Sequence, residues 1–180
     1  MRYSDALLLY AETQNEIHQK PTDAAIKAYE EVRKRAYKGH EDKIGTTPST
    51  YKEFFEAIIK ERALELASEG YRKYDLIRWN LLGSALQKVK DTALAIRDGI
   101  APYDNIPDYM WFKFEEDRVL TSSTDPNDAS YTKVDWRKAI DDNYLATLAI
   151  NNFDEGRDEV YPFHNTTLAA NAKLANDFGY

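Results

Sequence analysis

Residues 61–80 read ERALELASEGYRKYDLIRWN, and no other stretch limits the possible folds as tightly. On a helix turning about 100° per residue, Tyr51, Phe55, Ile58, Ile59 and Leu66 form one apolar stripe, and Arg62, Glu65 and Glu69 fall inside it. Desolvating a lone ion costs several kcal/mol, so charges kept on such a face must meet one another, a ligand or trapped water. Past Gly70 a second stripe follows, Tyr71, Tyr74, Ile77, Leu81 and Leu82, with Arg78 inside it. The pattern predicts two consecutive helices meeting at a hinge near Gly70, with opposite charges locked between them. Arg62, Glu65, Glu69, Arg72, Asp75 and Arg78 make up the expected network, and Arg62 and Arg78 are its expected buried struts.

Upstream, residues 3–19 have a helical pattern with Ala6, Leu7, Tyr10, Ala11 and Ile17 broadly on one side, and Pro21 ends it. Thr22 or Asp23 then caps a second helix, whose Ala25, Ile26, Tyr29, Val32 and Ala36 share a face. Two amphipathic helices with small residues at the crossing and a short turn look like a tetratricopeptide-type hairpin. Such a unit cannot bury both of its faces alone and needs neighbours to stack on. Residues 38–48 read as a loop, and Thr50 with Glu53 makes a capping box for the charged central helix.

After the second charged helix, closed by Gly83, residues 84–97 give a further amphipathic helix with Leu86, Val89, Ala93 and Ile96 in register, stopped by Asp98 and Gly99. From Ile100 prolines fall among aromatics, which predicts turns and a short strand over residues 110–114. Residues 122–130 read as a polar loop and residues 136–151 as one more helix. The chain is therefore mainly α, built of tetratricopeptide-type helix pairs over about residues 3–98, with a loop-rich, irregular part over about residues 99–180.

Composition narrows the partners. With 31 acidic against 24 basic residues the formal net charge is −7, and no basic run is present to hold nucleic-acid phosphates. The absence of cysteine excludes disulfides, thiolate metal sites and a cysteine nucleophile. No apolar run reaches the roughly 20 residues needed to span a bilayer.

The acidic residues of the charged helices could in principle serve as catalytic acid and base. Flanking arginines favour the ionised carboxylate, which suits pairing over proton donation, so no catalytic residue is assigned. Glu61, Glu65 and Glu69 invite a di-metal reading, but His18, His40 and His164 are scattered and none supplies the Glu-x-x-His spacing. Asp125, Asn127 and Asp128 lack the glycine and distal glutamate of a calcium loop. Asn165-Thr166-Thr167 is a weak glycosylation pattern. No metal or cofactor is expected. Tyrosine (13) and tryptophan (3) are prominent, and both suit surfaces that are apolar on one side and wet on the other. Tyr103, Tyr109 and Trp111, set among prolines, are the candidate stacking platform for a sugar ring, with core packing as the alternative.

The order E-R, E-L, E-G-x-R and D-x-x-R-W, carried by Glu61, Arg62, Glu65, Leu66, Glu69, Gly70, Arg72, Asp75, Arg78 and Trp79, resembles the signature of the SusD/RagB family of surface glycan-binding lipoproteins of Bacteroidetes. Arg2 to Glu12 and Val32 to Ala36 also resemble that family, although Glu31 departs from it. The tail VYPFHNTTLAANAKLANDFGY resembles its ending, with Asp177 and Phe178 in place of a proline before Gly179 and Tyr180. The resemblance implies a SusD-like fold and the C-terminal fragment of a longer chain, whose signal peptide and lipid-anchoring cysteine lie far upstream. It implies non-catalytic capture of oligosaccharides at the outer-membrane surface and delivery to a TonB-dependent, SusC-like transporter, with membrane contact only through the lipid anchor. Sugar contacts vary within that family, so it assigns no binding residue here. The competing functions are a helical-repeat scaffold for partner proteins and, more distantly, a glycosidase, which needs two carboxylates facing across a cleft.

Overall fold

The computed structural model describes residues 2–177 and 179. Two compact units make up the chain, residues 1–75 and 76–180. In the first, α1 (Tyr3–His18), α2 (Asp23–Ala36) and α3 (Tyr51–Glu65) pack together, and α4 (Tyr71–Arg78) follows across the boundary. Local chemistry sets the helix ends. Gln19 turns left-handed (φ 51°) before Pro21, and Thr22 Oγ1 accepts from the Ala25 amide at 3.1 Å to start α2. Thr50 Oγ1 accepts from the Glu53 amide at 3.3 Å and donates to the Glu53 carboxylate at 2.8 Å, a variant of the expected capping box. Gly70, at φ 79°, makes the hinge between α3 and α4.

Leu8, Ala11, Ala25, Ala28, Tyr29, Val32, Phe54 and Ile58 form the core of this unit. Ala11, Ala25 and Ala28 let the backbones approach closely, and Phe54 meets Tyr29 edge to face at 5.3 Å. The faces differ from those the apolar pattern predicts. On α1 the buried side is Ser4, Asp5, Leu8, Ala11, Glu12 and Asn15, while Ala6, Tyr10 and Ile17 are exposed. On α3 the buried side is Phe54, Ile58, Glu61 and Arg62, and Tyr51, Phe55 and Ile59 are only partly covered. On α2, Ala28 replaces Ala36 on the core side. Polar partners, not apolar count, orient α1: its Asp5 faces Arg62 at 2.8 Å, and its Asn15 Nδ2 donates to the Tyr51 carbonyl at 3.0 Å.

In the second unit α5 spans Leu82–Arg97, earlier than expected, because the chain breaks at Asn80 (φ 54°) and Gly83 lies within the first turn of α5. Phe153 Cε1 would sit 3.3 Å from a Cβ at Gly83, so close side-chain packing explains this glycine. A three-stranded antiparallel sheet follows, β1 (Tyr109–Glu115), β2 (Arg118–Ser122) and β3 (Thr132–Asp135), in the order β2-β1-β3. Register places Trp111 opposite Ser122 on one side and Lys133 on the other. The single helix expected over residues 136–151 is instead the short α6 (Asp142–Ala146) between two 3₁₀ turns. Asp141 forces this break: its carboxylate accepts from the Tyr144 amide at 2.7 Å and caps α6. Near the end lies α7 (Asn165–Ala170). The departure from the family ending at Asp177 and Phe178 includes Phe178, which lies outside the described residues. No helix among the described residues is long and apolar enough to cross a membrane.

Candidate functional site

Two constellations of side chains stand out, one in each unit. In the first, Arg62 is 3% exposed and joins three helices. Its Nε and Nη2 donate to the two oxygens of Asp75 on α4 at 2.8 and 3.0 Å, and its Nη1 donates to Asp5 on α1 at 2.8 Å. Such two-point pairing is the geometry a guanidinium offers a carboxylate. Beside it, Glu61 accepts from Arg33 Nη1 at 2.8 Å, and the Arg33 guanidinium lies over the Tyr29 and Tyr37 rings. Glu65 pairs with Arg35 and with Arg2, and Glu69 with Arg2 at 2.7 Å. Arg72 Nη1 donates to the Ile59 carbonyl at 3.1 Å.

Burial works against ionisation of Glu65, yet hydrogen bonding and charge from Arg35, with the charge of Arg2, outweigh it and hold the carboxyl below its ordinary range. That is the electrostatics of a brace and not of a proton donor. Arg78 corrects the expected pattern: it is exposed, with its guanidinium 4.4 Å from the Trp79 ring, and is no buried strut. Tyr74, expected beside it on an apolar stripe, is 68% exposed. Asp5, Arg2, Arg33, Arg35 and Glu61 belong to the network and were not anticipated. Asp5, in the first turn of α1 directly before the apolar Ala6-Leu7-Leu8-Leu9 run, was the available signal.

In the second unit, Tyr109 and Trp111 stand two residues apart on β1 and so share a face of the sheet. Lys133, opposite Trp111 on β3, places its Nζ 3.9 Å from the Tyr109 ring centre and 5.4 Å from that of Trp111. Tyr103 is not part of this face. It lies in the turn after α5, where its carbonyl accepts from Arg137 Nη2 at 3.4 Å. An open cavity of about 440 Å³ adjoins the platform, lined among others by Arg97, Asp108, Tyr109, Asp135, Arg137 and Asp141.

Ion pairs frame that cavity: Arg137 with Asp108 at 2.9 Å, Lys138 with Asp135 at 3.1 Å, and Arg97 with Asp142 at 3.3 Å. Hydrogen bonding to Arg97 holds Asp98 below the usual carboxyl range. Among the described residues no group of three or more His, Asp or Glu side chains is placed to hold a metal ion. Asp125 and Asp128 instead accept from the Asn127 and Ser130 amides, each at 2.9 Å. The arrangement offers an aromatic surface, a fixed cation and a rim of donors and acceptors. Lys133, Asp108, Asp135 and Arg137 went unrecognised in the sequence, where only the β-branched Thr132 and Val134 hinted at a strand.

A family model described as the SusD family matches residues 1–180. A SusD-like protein of Formosa agariphila is 34% identical over 102 residues, 57% of this chain and 19% of that protein. A crystal structure of a SusD homolog from Bacteroides thetaiotaomicron is similar with a TM-score of 0.60 and 25% identity, over 100% of this chain and 26% of that one. The chain thus spans about a fifth to a quarter of the length of these relatives.

Proposed function

Since the chain belongs to the SusD family and its mainly α fold is SusD-like, we propose that it is the C-terminal part of a receptor that captures glycans at the bacterial cell surface without reacting with them. The receptor is held at the outer membrane by a lipid anchor outside this sequence and passes its ligand to a TonB-dependent transporter of the SusC type. One observation in this chain carries the reading: Tyr109 and Trp111 share a sheet face beside a cavity rimmed with polar groups. Sugar rings pack their C–H faces on such aromatics while neighbouring polar groups meet the hydroxyls.

The cavity's electrostatics support binding over catalysis. A glycosidase needs one carboxyl raised enough to donate a proton, whereas Asp108 and Asp135 are tied into ion pairs and Asp98 is pushed the other way. The test is glycan binding by the full-length protein, on an array or by affinity electrophoresis. Tyr109→Ala and Trp111→Ala together should weaken retention at least about tenfold, in line with about 1–3 kcal/mol for a stacked ring. Wild-type retention by the double variant would remove the site, and failure of the wild type to bind any glycan would remove the function.

A second reading, a scaffold for partner proteins, is favoured by the opposite face of the sheet. There Phe114 is 76%, Val119 51% and Val134 39% exposed, an apolar surface of the kind that marks protein contacts. Absence of glycan binding by the full-length protein would favour it.

A further inference from the structure

Resting on the glycan-capture reading, we infer that the sugar taken at this face is acidic: a carboxylate or sulfate ester on the ring pairs with Lys133 while the ring packs against Trp111. The cations around the sheet are otherwise neutralised by carboxylates. Lys113 pairs with Asp128 at 3.7 Å, Arg118 with Glu115 at 2.8 Å, Arg137 with Asp108 and Lys138 with Asp135. Lys133 differs. Although the chain carries a net charge of −7, its ammonium stands over two aromatic rings and forms no ion pair among the described residues. Asp135, two residues along the same strand and on the same face, is engaged by Lys138 and does not serve it.

The chemistry of this placement is specific. Ring faces attract an ammonium through their quadrupole without cancelling its charge. An ammonium carries three N–H donors, and a ring face leaves some of them open to an incoming anion. Lys113 shows the contrasting case: its Nζ is 5.0 Å from the Tyr131 ring, but Asp128 already neutralises it. Distance also divides the labour between the two aromatics. Nζ is centred on Tyr109 at 3.9 Å and stands further from Trp111, at 5.4 Å. Tyr109 therefore seats the cation, and Trp111 is left as the stacking surface. A neutral sugar would find the Tyr109 face occupied, whereas an acidic one gains a charge-assisted contact at the position where the neutral one loses area.

Calorimetric titration of the full-length protein decides this, with two matched probe pairs: oligogalacturonides against their methyl esters, and a sulfated galactan oligosaccharide against its desulfated form. The pair that discriminates identifies the anion. The acidic member should bind about tenfold more tightly or better, the return expected for a hydrogen bond to a charged group. Its affinity should fall as NaCl rises from about 0.05 to about 0.5 M. Lys133→Met should abolish the discrimination, Lys133→Arg should keep it, and Lys88→Met, on the exposed side of α5, should leave it unchanged. Equal binding of acidic and neutral members, or discrimination that survives in Lys133→Met, overturns the inference and leaves glycan capture standing. Failure to bind any of the four probes or any arrayed glycan overturns both.

Discussion

Arg62 and Asp75 meet in a two-point ion pair, Nε to Oδ2 at 2.8 Å and Nη2 to Oδ1 at 3.0 Å, that ties α3 to α4 across the Gly70 hinge. Both side chains are almost fully buried, and the third guanidinium nitrogen reaches Asp5 on α1. One arginine thus donates to two buried carboxylates carried by two different helices.

Removing Arg62 should therefore be costly. Arg62→Ala is expected to lower the unfolding free energy by about 3–5 kcal/mol, because it leaves Asp5 buried without the guanidinium that faces it and removes the two-point pairing of Asp75. Arg78→Ala, at an exposed position, should cost less than about 1 kcal/mol. Urea unfolding of both variants checks the pair of values, and a wild-type midpoint for Arg62→Ala would show that the pair braces nothing.

Glu65 should make stability depend on pH in the acid range. Its folded-state pKa lies below the ordinary 4.5, so the unfolded chain binds the proton more tightly. The resulting stabilisation is fully present above about pH 5 and is lost as pH falls through the depressed folded value. Glu65→Gln should be less stable than wild type near pH 7, and the gap should narrow steadily below the ordinary value. A gap that stays constant down to pH ~3 would contradict the assignment.

Gly99 should resist substitution for two independent reasons. Its φ is 63°, in the left-handed region, and a Cβ there would stand 2.8 Å from Arg137 Nη1. Arg137 is the side chain that holds Asp108 and the carbonyls of Tyr103 and Ile106. Gly99→Ala is expected to destabilise by about 1–3 kcal/mol and to weaken glycan binding by shifting the cavity wall. Thermal melts and binding measured on the same sample test both effects.

Glu116 offers the opposite opportunity. It occupies the two-residue connection between β1 and β2 at φ 54°, which costs an L-residue other than glycine or asparagine about 1 kcal/mol. Glu116→Gly should stabilise the protein by about 0.5 kcal/mol once the added freedom of the unfolded chain is deducted. A drop in the urea midpoint would show that the left-handed turn is not a strained one.

The ends of the first helices were legible residue by residue: Pro21 with Thr22, Thr50 with Glu53, and Gly70 act on the backbone within a turn or two of themselves. The second unit was less so. The strands β2 and β3 are short and mostly exposed, so burial imposes no clean alternation on them, and Asp141 splits a segment whose apolar spacing alone reads as one helix. Of the aromatic candidates, Tyr109 and Trp111 share a strand face by their spacing of two, while Tyr103, six residues earlier in a turn, cannot be placed by periodicity.

Charged residues inside an apolar helical face required partners before any partner was known, because the cost of desolvating an ion is a property of the ion. That much belonged to the sequence by itself. Which residues answered, Asp5 from α1 and Arg33 and Arg35 from α2, was decided only when the chain folded. Pairing energy depends on distances between segments remote along the chain, and no local pattern encodes them. The same packing turned α1 to bury Asp5 against Arg62 and left Tyr10 and Ile17 facing out: pairing a buried charge outweighed covering two apolar side chains.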